Sequence, residues 1–135
     1  MTTDPMQWDW TRALYDHVHL RVADLAASKS FYATVLEPLG IPLMRDTEEI
    51  AEFPNLALSI DGPVSEHVHV AFRAQSEEEV NAFHRAGVEA GYRDNGAPGP
   101  RPQYGPPQMT YYSAYLLDPD GNNVEAVHRG LAERR

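Results

Sequence analysis

His17-Val18-His19-Leu20-Arg21-Val22-Ala23-Asp24 returns later in the chain as His69-Val70-Ala71-Phe72-Arg73-Ala74-Gln75-Ser76. With His17 laid over His69, Arg21 falls on Arg73 and Phe31 on Phe83. Such a repeat predicts a duplicated unit whose two copies build one site between them. In the first copy polar and apolar residues alternate, as on a half-buried strand. Successive side chains of a strand face opposite ways, so Val18, Leu20 and Val22 share one face, and His17, His19 and Arg21 the other. The second copy sets Val68, Val70 and Phe72 against His67, His69, Ala71 and Arg73.

A helix is predicted after each of these strands. Asp24 caps the first, Leu25, Phe31, Tyr32, Val35 and Leu36 recur at helical spacing, and Gly40 ends it. Ser76 with Glu79 three residues on is a capping-box pattern, Glu77, Glu78 and Glu79 suit the positive end of the helix dipole, Val80, Phe83 and Val88 form the buried stripe, and Gly91 stops the helix. Extended pieces follow at 41–44, 50–53 and 56–60, then at 92–94, 110–117 and 123–128. Asp118-Pro-Asp-Gly-Asn is a turn sequence, which makes 110–128 a hairpin. Each copy is therefore a βαβββ unit, module 1 over 15–62 and module 2 over 66–130, within one α+β domain of 135 residues. Residues 1–14, carrying Trp8 and Trp10, are read either as an arm that packs on the body or on a second subunit, or as a half-ordered terminus. Residues 95–108 hold five prolines and three glycines, and are read as an ordered loop over the cavity mouth bearing Arg101 and Tyr104, with a floppy connector as the alternative.

Composition narrows the chemistry. An apolar fraction of 42% with 23% charged residues is that of a globular protein, and no run approaches the roughly 20 apolar residues of a membrane span. The start lacks the features of a secretory signal, so a cytoplasmic location is expected. Without cysteine, a metal must be held by His, Asp or Glu. A net charge of −9 repels nucleic acid.

His17 and His69 occupy matching repeat positions, and Glu125, in Asp118-Pro-Asp-Gly-Asn-Asn-Val-Glu125, sits on the last strand facing the same way as Val127. Two imidazoles and a carboxylate suit a divalent ion such as Fe, Mn, Ni, Co or Zn and leave positions open for substrate. On the same faces stand His19 and His67 as candidate general bases. Arg21 and Arg73 either meet an anionic or enolisable substrate or pair with internal carboxylates. Tyr111 and Tyr115 belong to the catalytic or substrate-contacting wall, or to the core.

These motifs, with Phe31-Tyr32, resemble those of the vicinal oxygen chelate superfamily, the glyoxalase I, bleomycin-resistance protein and extradiol dioxygenase group, over residues 15–128. The resemblance implies a curved eight-stranded mixed sheet, a half-barrel with helices on its outer face. It also implies a divalent metal on His17, His69 and Glu125, with a small molecule chelating it through neighbouring oxygens, in a lyase, isomerase or extradiol-type dioxygenase. A homodimer is expected, with the site inside one chain or shared between two. Glyoxalase I adds a carboxylate from the last strand of module 1, where this chain reads Leu56-Ala-Leu-Ser-Ile60, and the departure points away from that enzyme. The alternatives are a metal-free drug-sequestering protein of the bleomycin-resistance kind and a thiol transferase of the fosfomycin-resistance kind.

Overall fold

The polar and apolar alternation of the two repeated strands is realised as two sheets with the same topology. The structure, a computed structural model, describes residues 12, 14–105 and 107–130; the proposed arm with Trp8 and Trp10 lies almost wholly outside them. Module 1 runs β1 (Val18–Arg21), α1 (Leu25–Leu36), β2 (Arg45–Asp46), β3 (Ile50–Phe53) and β4 (Leu56–Ser59). Module 2 runs β5 (His69–Arg73), α2 (Glu77–Glu89), β6 (Arg93–Pro100), β7 (Tyr112–Leu117) and β8 (Asn123–His128). The strand orders are β1-β4-β3-β2 and β5-β8-β7-β6. In each sheet the first strand runs parallel to the last, and the other pairs are antiparallel. The eight strands thus form two four-stranded mixed sheets, and among the described residues no ladder joins them into one.

Capping follows the sequence signals. Asp24 Oδ1 accepts from the Ala27 amide at 3.0 Å, and Ser76 Oγ from the Glu79 amide at 3.1 Å. Glu79 reaches back to the Gln75 amide at 2.9 Å, one residue ahead of the cap. A 3-10 turn, Glu37–Leu39, extends the end of α1 and closes on Gly40 at φ 75°, a conformation in which a Cβ would be strained. Leu25, Phe31, Tyr32, Val35 and Leu36 are buried on α1, and Val80, Phe83 and Gly87 on α2. One apolar cluster takes residues from both modules, including Phe31, Phe83 and Leu116.

Two expectations change. Val88 is 44% exposed, because the helical period from Val80 and Phe83 leads to Gly87. A Cβ on Gly87 would lie 2.4 Å from Leu116 Cδ1 and 3.3 Å from Val35 Cγ1, so the missing side chain is what lets α2 approach both β7 and α1. Residues 95–100, expected as loop, belong to β6. Pro98 and Pro100 are tolerated there because β6 is an edge strand, and its register against β7 shifts on either side of Gly96.

The turn between β7 and β8 ties the modules together. Asp118 is buried, and its carboxylate accepts from Tyr32 Oη at 2.6 Å, from the Asp120 and Asn122 amides at 2.9 Å, and from Asn122 Nδ2 at 3.2 Å. Asn122 Oδ1 in turn accepts from the Val68 amide at 3.0 Å, just ahead of β5. Burial and the neighbouring Asp118 charge raise the Tyr32 pKa far above the ordinary phenol value, so the proton stays on Tyr32 and the bond keeps its direction.

Tyr32→Phe removes one donor from this buried carboxylate and should cost about 1–3 kcal/mol, read as a lower urea midpoint. Gly87→Val overpacks the contact with Leu116 and Val35 and should cost about 1–3 kcal/mol, read as a lower melting temperature with unchanged helix content.

Candidate functional site

The parallel pairing of β5 with β8 sets Ala71 beside Glu125, and the antiparallel pairing of β7 with β8 sets Tyr115 on its other side. Alternation turns all three to the face away from α2. Ala71 is small, and the ring of His69, one step along the same face, leans over to bring Nε2 within 2.7 Å of Glu125 Oε1. Glu125 Oε2 accepts from Tyr111 Oη at 2.5 Å. The carboxylate is 1% exposed and the imidazole 54%. Both carboxylate oxygens are therefore engaged inside the protein, while His69 is presented outward. Burial first, and then the bond to Glu125, raise the Tyr111 pKa above its ordinary value, so Tyr111 is a neutral donor. Burial likewise raises Tyr115.

A hollow of about 590 Å³ opens above this pair. Arg101 forms one wall: Nη2 donates to Ala97 O at 2.7 Å, Nη1 to Pro100 O at 3.4 Å, and the guanidinium stands 5.6 Å from the Tyr115 ring centre. These partners are neutral, so they orient the cation without cancelling its charge. Tyr104 packs edge-on to Tyr111 at 5.3 Å, and Arg129 stands 4.7 Å from the Tyr111 ring centre. Asn95, Gln103 and Asn123 complete the lining. They were missed in the sequence, although Asn123 was within reach of the alternation that singled out Glu125.

The other predicted residues lie elsewhere. His17 precedes β1, is exposed, and bonds through Nδ1 to Asp16 Oδ1 at 2.7 Å. It lines a 190 Å³ hollow on module 1 with Glu52 and Ala57, and a 420 Å³ cleft between the modules with Arg73. Neither lining includes His69 or Glu125. His19 Nε2 lies 2.7 Å from Ser59 Oγ, which donates to Asp61 Oδ1 at 2.6 Å, and Asp61 also meets Arg21 Nε at 3.3 Å. The Ser59 bond, more than Arg21, lowers the Asp61 pKa. With Asp61 ionised, the Ser59 proton is committed to it, so His19 donates from Nε2 and leaves Nδ1 as the open nitrogen. Arg21 thus takes an internal carboxylate. His67, expected on the strand face, precedes β5 in a left-handed conformation at φ 56°, is exposed, and lines none of these three hollows.

Among the described residues no group of three His, Asp or Glu side chains is disposed to hold a metal. His69 and Glu125 are two convergent donors of the right chemistry, and the atoms that share a proton between them are those that would share an ion. His17, the third expected ligand, stands on the other module.

The family model for the glyoxalase, bleomycin resistance protein and dioxygenase superfamily matches residues 14–126. A glyoxalase/bleomycin resistance protein from Albidiferax ferrireducens T118 is similar at 34% identity over 87% of this chain and 100% of its own, with a TM-score of 0.74. Lactoylglutathione lyase from Agrobacterium tumefaciens shares the fold at 22% identity over 86% and 92% of the two chains, with a TM-score of 0.63. So does a glyoxalase/bleomycin resistance protein/dioxygenase family enzyme from Burkholderia phytofirmans PsJN, at 17% identity over 84% and 96%, with a TM-score of 0.61. A comparison with curated proteins gives no match. A βαβββ unit repeated in both sheets, a family model spanning nearly all of the chain and a relative at 34% identity lead to one conclusion: the chain belongs to the glyoxalase/bleomycin resistance protein/dioxygenase superfamily.

Proposed function

We propose that the chain is a divalent-metal enzyme of glyoxalase or dioxygenase type acting on a small molecule that presents two neighbouring oxygens. The observation that carries this reading is the convergence of His69 and buried Glu125 at 2.7 Å on the floor of a 590 Å³ hollow. A divalent ion there, of the Fe, Mn, Ni, Co or Zn kind, supplies Lewis acidity to substrate oxygens. Tyr111 holds the Glu125 carboxylate in place as a neutral donor. Arg101 offers positive charge to a substrate carboxylate or to an enolate developing in the hollow. Tyr104 and Tyr115 flank the hollow.

His17 completes the ligand set in this reading from the module 1 face of a second chain, in a homodimer. Support for sharing between chains comes from the separation of the His17 and His69 hollows within one chain. Ala57 stands in module 1 where Glu125 stands in module 2, since β1 pairs His19 with Ala57 as β5 pairs Ala71 with Glu125. This keeps the reading apart from glyoxalase I, which places a carboxylate on that strand.

A metal-free binding protein is the second reading, favoured by the hydrogen bonds through which His69 and Tyr111 engage both Glu125 oxygens. A net charge of −9 suits a cationic ligand.

Protein purified without chelator should carry metal, and His17→Ala and His69→Ala should each lose it. Mixing the two variants after unfolding and refolding should restore about one quarter of the wild-type sites by random pairing in a two-fold dimer, as one of the two sites in each mixed dimer is intact. No metal in the wild type, with calorimetric binding of bleomycin to it, establishes the second reading instead; metal without restoration places the site inside one chain.

A further inference from the structure

Module 2 brings one histidine and one carboxylate to its open face, whereas in module 1 the position matching Glu125 is Ala57. One strand further out, β3 sets Glu52 directly opposite Ala57 on the same face. The row across the first sheet reads His19, Ala57, Glu52, Arg45, and the row across the second reads Ala71, Glu125, Tyr115, Gly96. The carboxylate has moved by one strand. Side chains directly opposite on antiparallel strands have Cβ atoms about 4.5–5.5 Å apart, a gap that a glutamate side chain can cross when its neighbour is only a methyl group.

Glu52 and His17 line the same 190 Å³ hollow, with Ala57 between them. His17 bonds through Nδ1 to the exposed Asp16, which leaves Nε2 as the nitrogen open to an ion. The present partner of Glu52 is Arg45, at 3.6 Å with both side chains more than a third exposed. An exposed pair of this kind holds its members weakly.

We propose that Glu52 is a metal ligand: with His17 it forms the module 1 half of the site, facing His69 and Glu125 of the other chain. This rests on the metal-enzyme reading above and deepens it, adding a fourth protein ligand drawn from β3. The hollow of module 1 thus offers one nitrogen and one oxygen donor, as that of module 2 does, although the two carboxylates come from different strands.

The test is Mn²⁺ affinity of the metal-free full chain, followed by the electron paramagnetic resonance signal of free Mn²⁺, in wild type, Glu52→Gln, Arg45→Ala and the double variant Glu52→Gln/Ala57→Glu. Glu52→Gln should weaken binding about tenfold or more. Arg45→Ala, which loses the ion pair and keeps the carboxylate, should bind at least as tightly as wild type, and the double variant should recover affinity through a carboxylate on β4. Unchanged affinity in Glu52→Gln, while His69→Ala abolishes binding, overturns this inference and leaves the metal-enzyme reading standing. Equal weakening by Arg45→Ala also overturns it, because the loss then follows the β2–β3 contact. A wild type that binds no Mn²⁺ overturns both.

Discussion

The buried carboxylate of Asp118 holds the two modules in a common frame. A charge out of water must be met by donors, and Asp118 meets three from its own turn and one from Tyr32 on α1. The turn donors set where β8 begins, and with it the register that places Glu125 beside Ala71 and Tyr115. Tyr32 anchors that turn to the helix of the other module. Asn122 continues the chain of contacts to Val68 at the entry to β5, so the strands bearing His69 and Glu125 start from one hydrogen-bonded knot. The site is assembled by structure that lies outside it.

Duplication explains the fold better than it explains the chemistry. Both modules use a first strand parallel to their last, a capped helix on the apolar face and an open polar face. The open faces differ: module 2 carries a buried carboxylate gripped by His69 and Tyr111, while module 1 carries the His19–Ser59–Asp61–Arg21 chain with Ala57 at the matching position. The module 1 carboxylate, Asp61, is exposed between Ser59 and Arg21, whereas the module 2 carboxylate, Glu125, is buried between His69 and Tyr111.

Much of this was legible in the sequence because a strand has a period of two. The facing of Leu20 and Val22 against His19 and Arg21, and of Glu125 with Val127, needed only alternation, and Asp24 and Ser76 announced the helix starts by their capping chemistry. What escaped had no periodic signature. Gly87 carries no side chain to mark it as core, so the apolar Val88 beside it took its place in the reading. Residues 95–100 are composed like a loop, and edge position alone makes such a strand permissible. His67 continues the alternation of its neighbours while its backbone turns left-handed, which removes it from the strand. The relation between the modules was also out of reach, because periodicity assigns side chains to faces and carries no information on which faces meet. His17 and His69 were read as partners, and within one chain they line separate hollows.

The prolines and register shifts of β6 also govern how such sheets can be extended. A strand with no amide hydrogen at Pro98 and Pro100 makes a poor template for another backbone. At the far side of the other sheet β2 is only two residues long, Arg45 and Asp46, both charged and exposed. Each sheet is thus blunted on the side away from its histidine-bearing strand, and among the described residues the other edges, β1 and β5, have no strand paired on their outer side. Backbone pairing is therefore directional: the outer rims at β6 and β2 discourage it, and the strands next to His17 and His69 carry no such block.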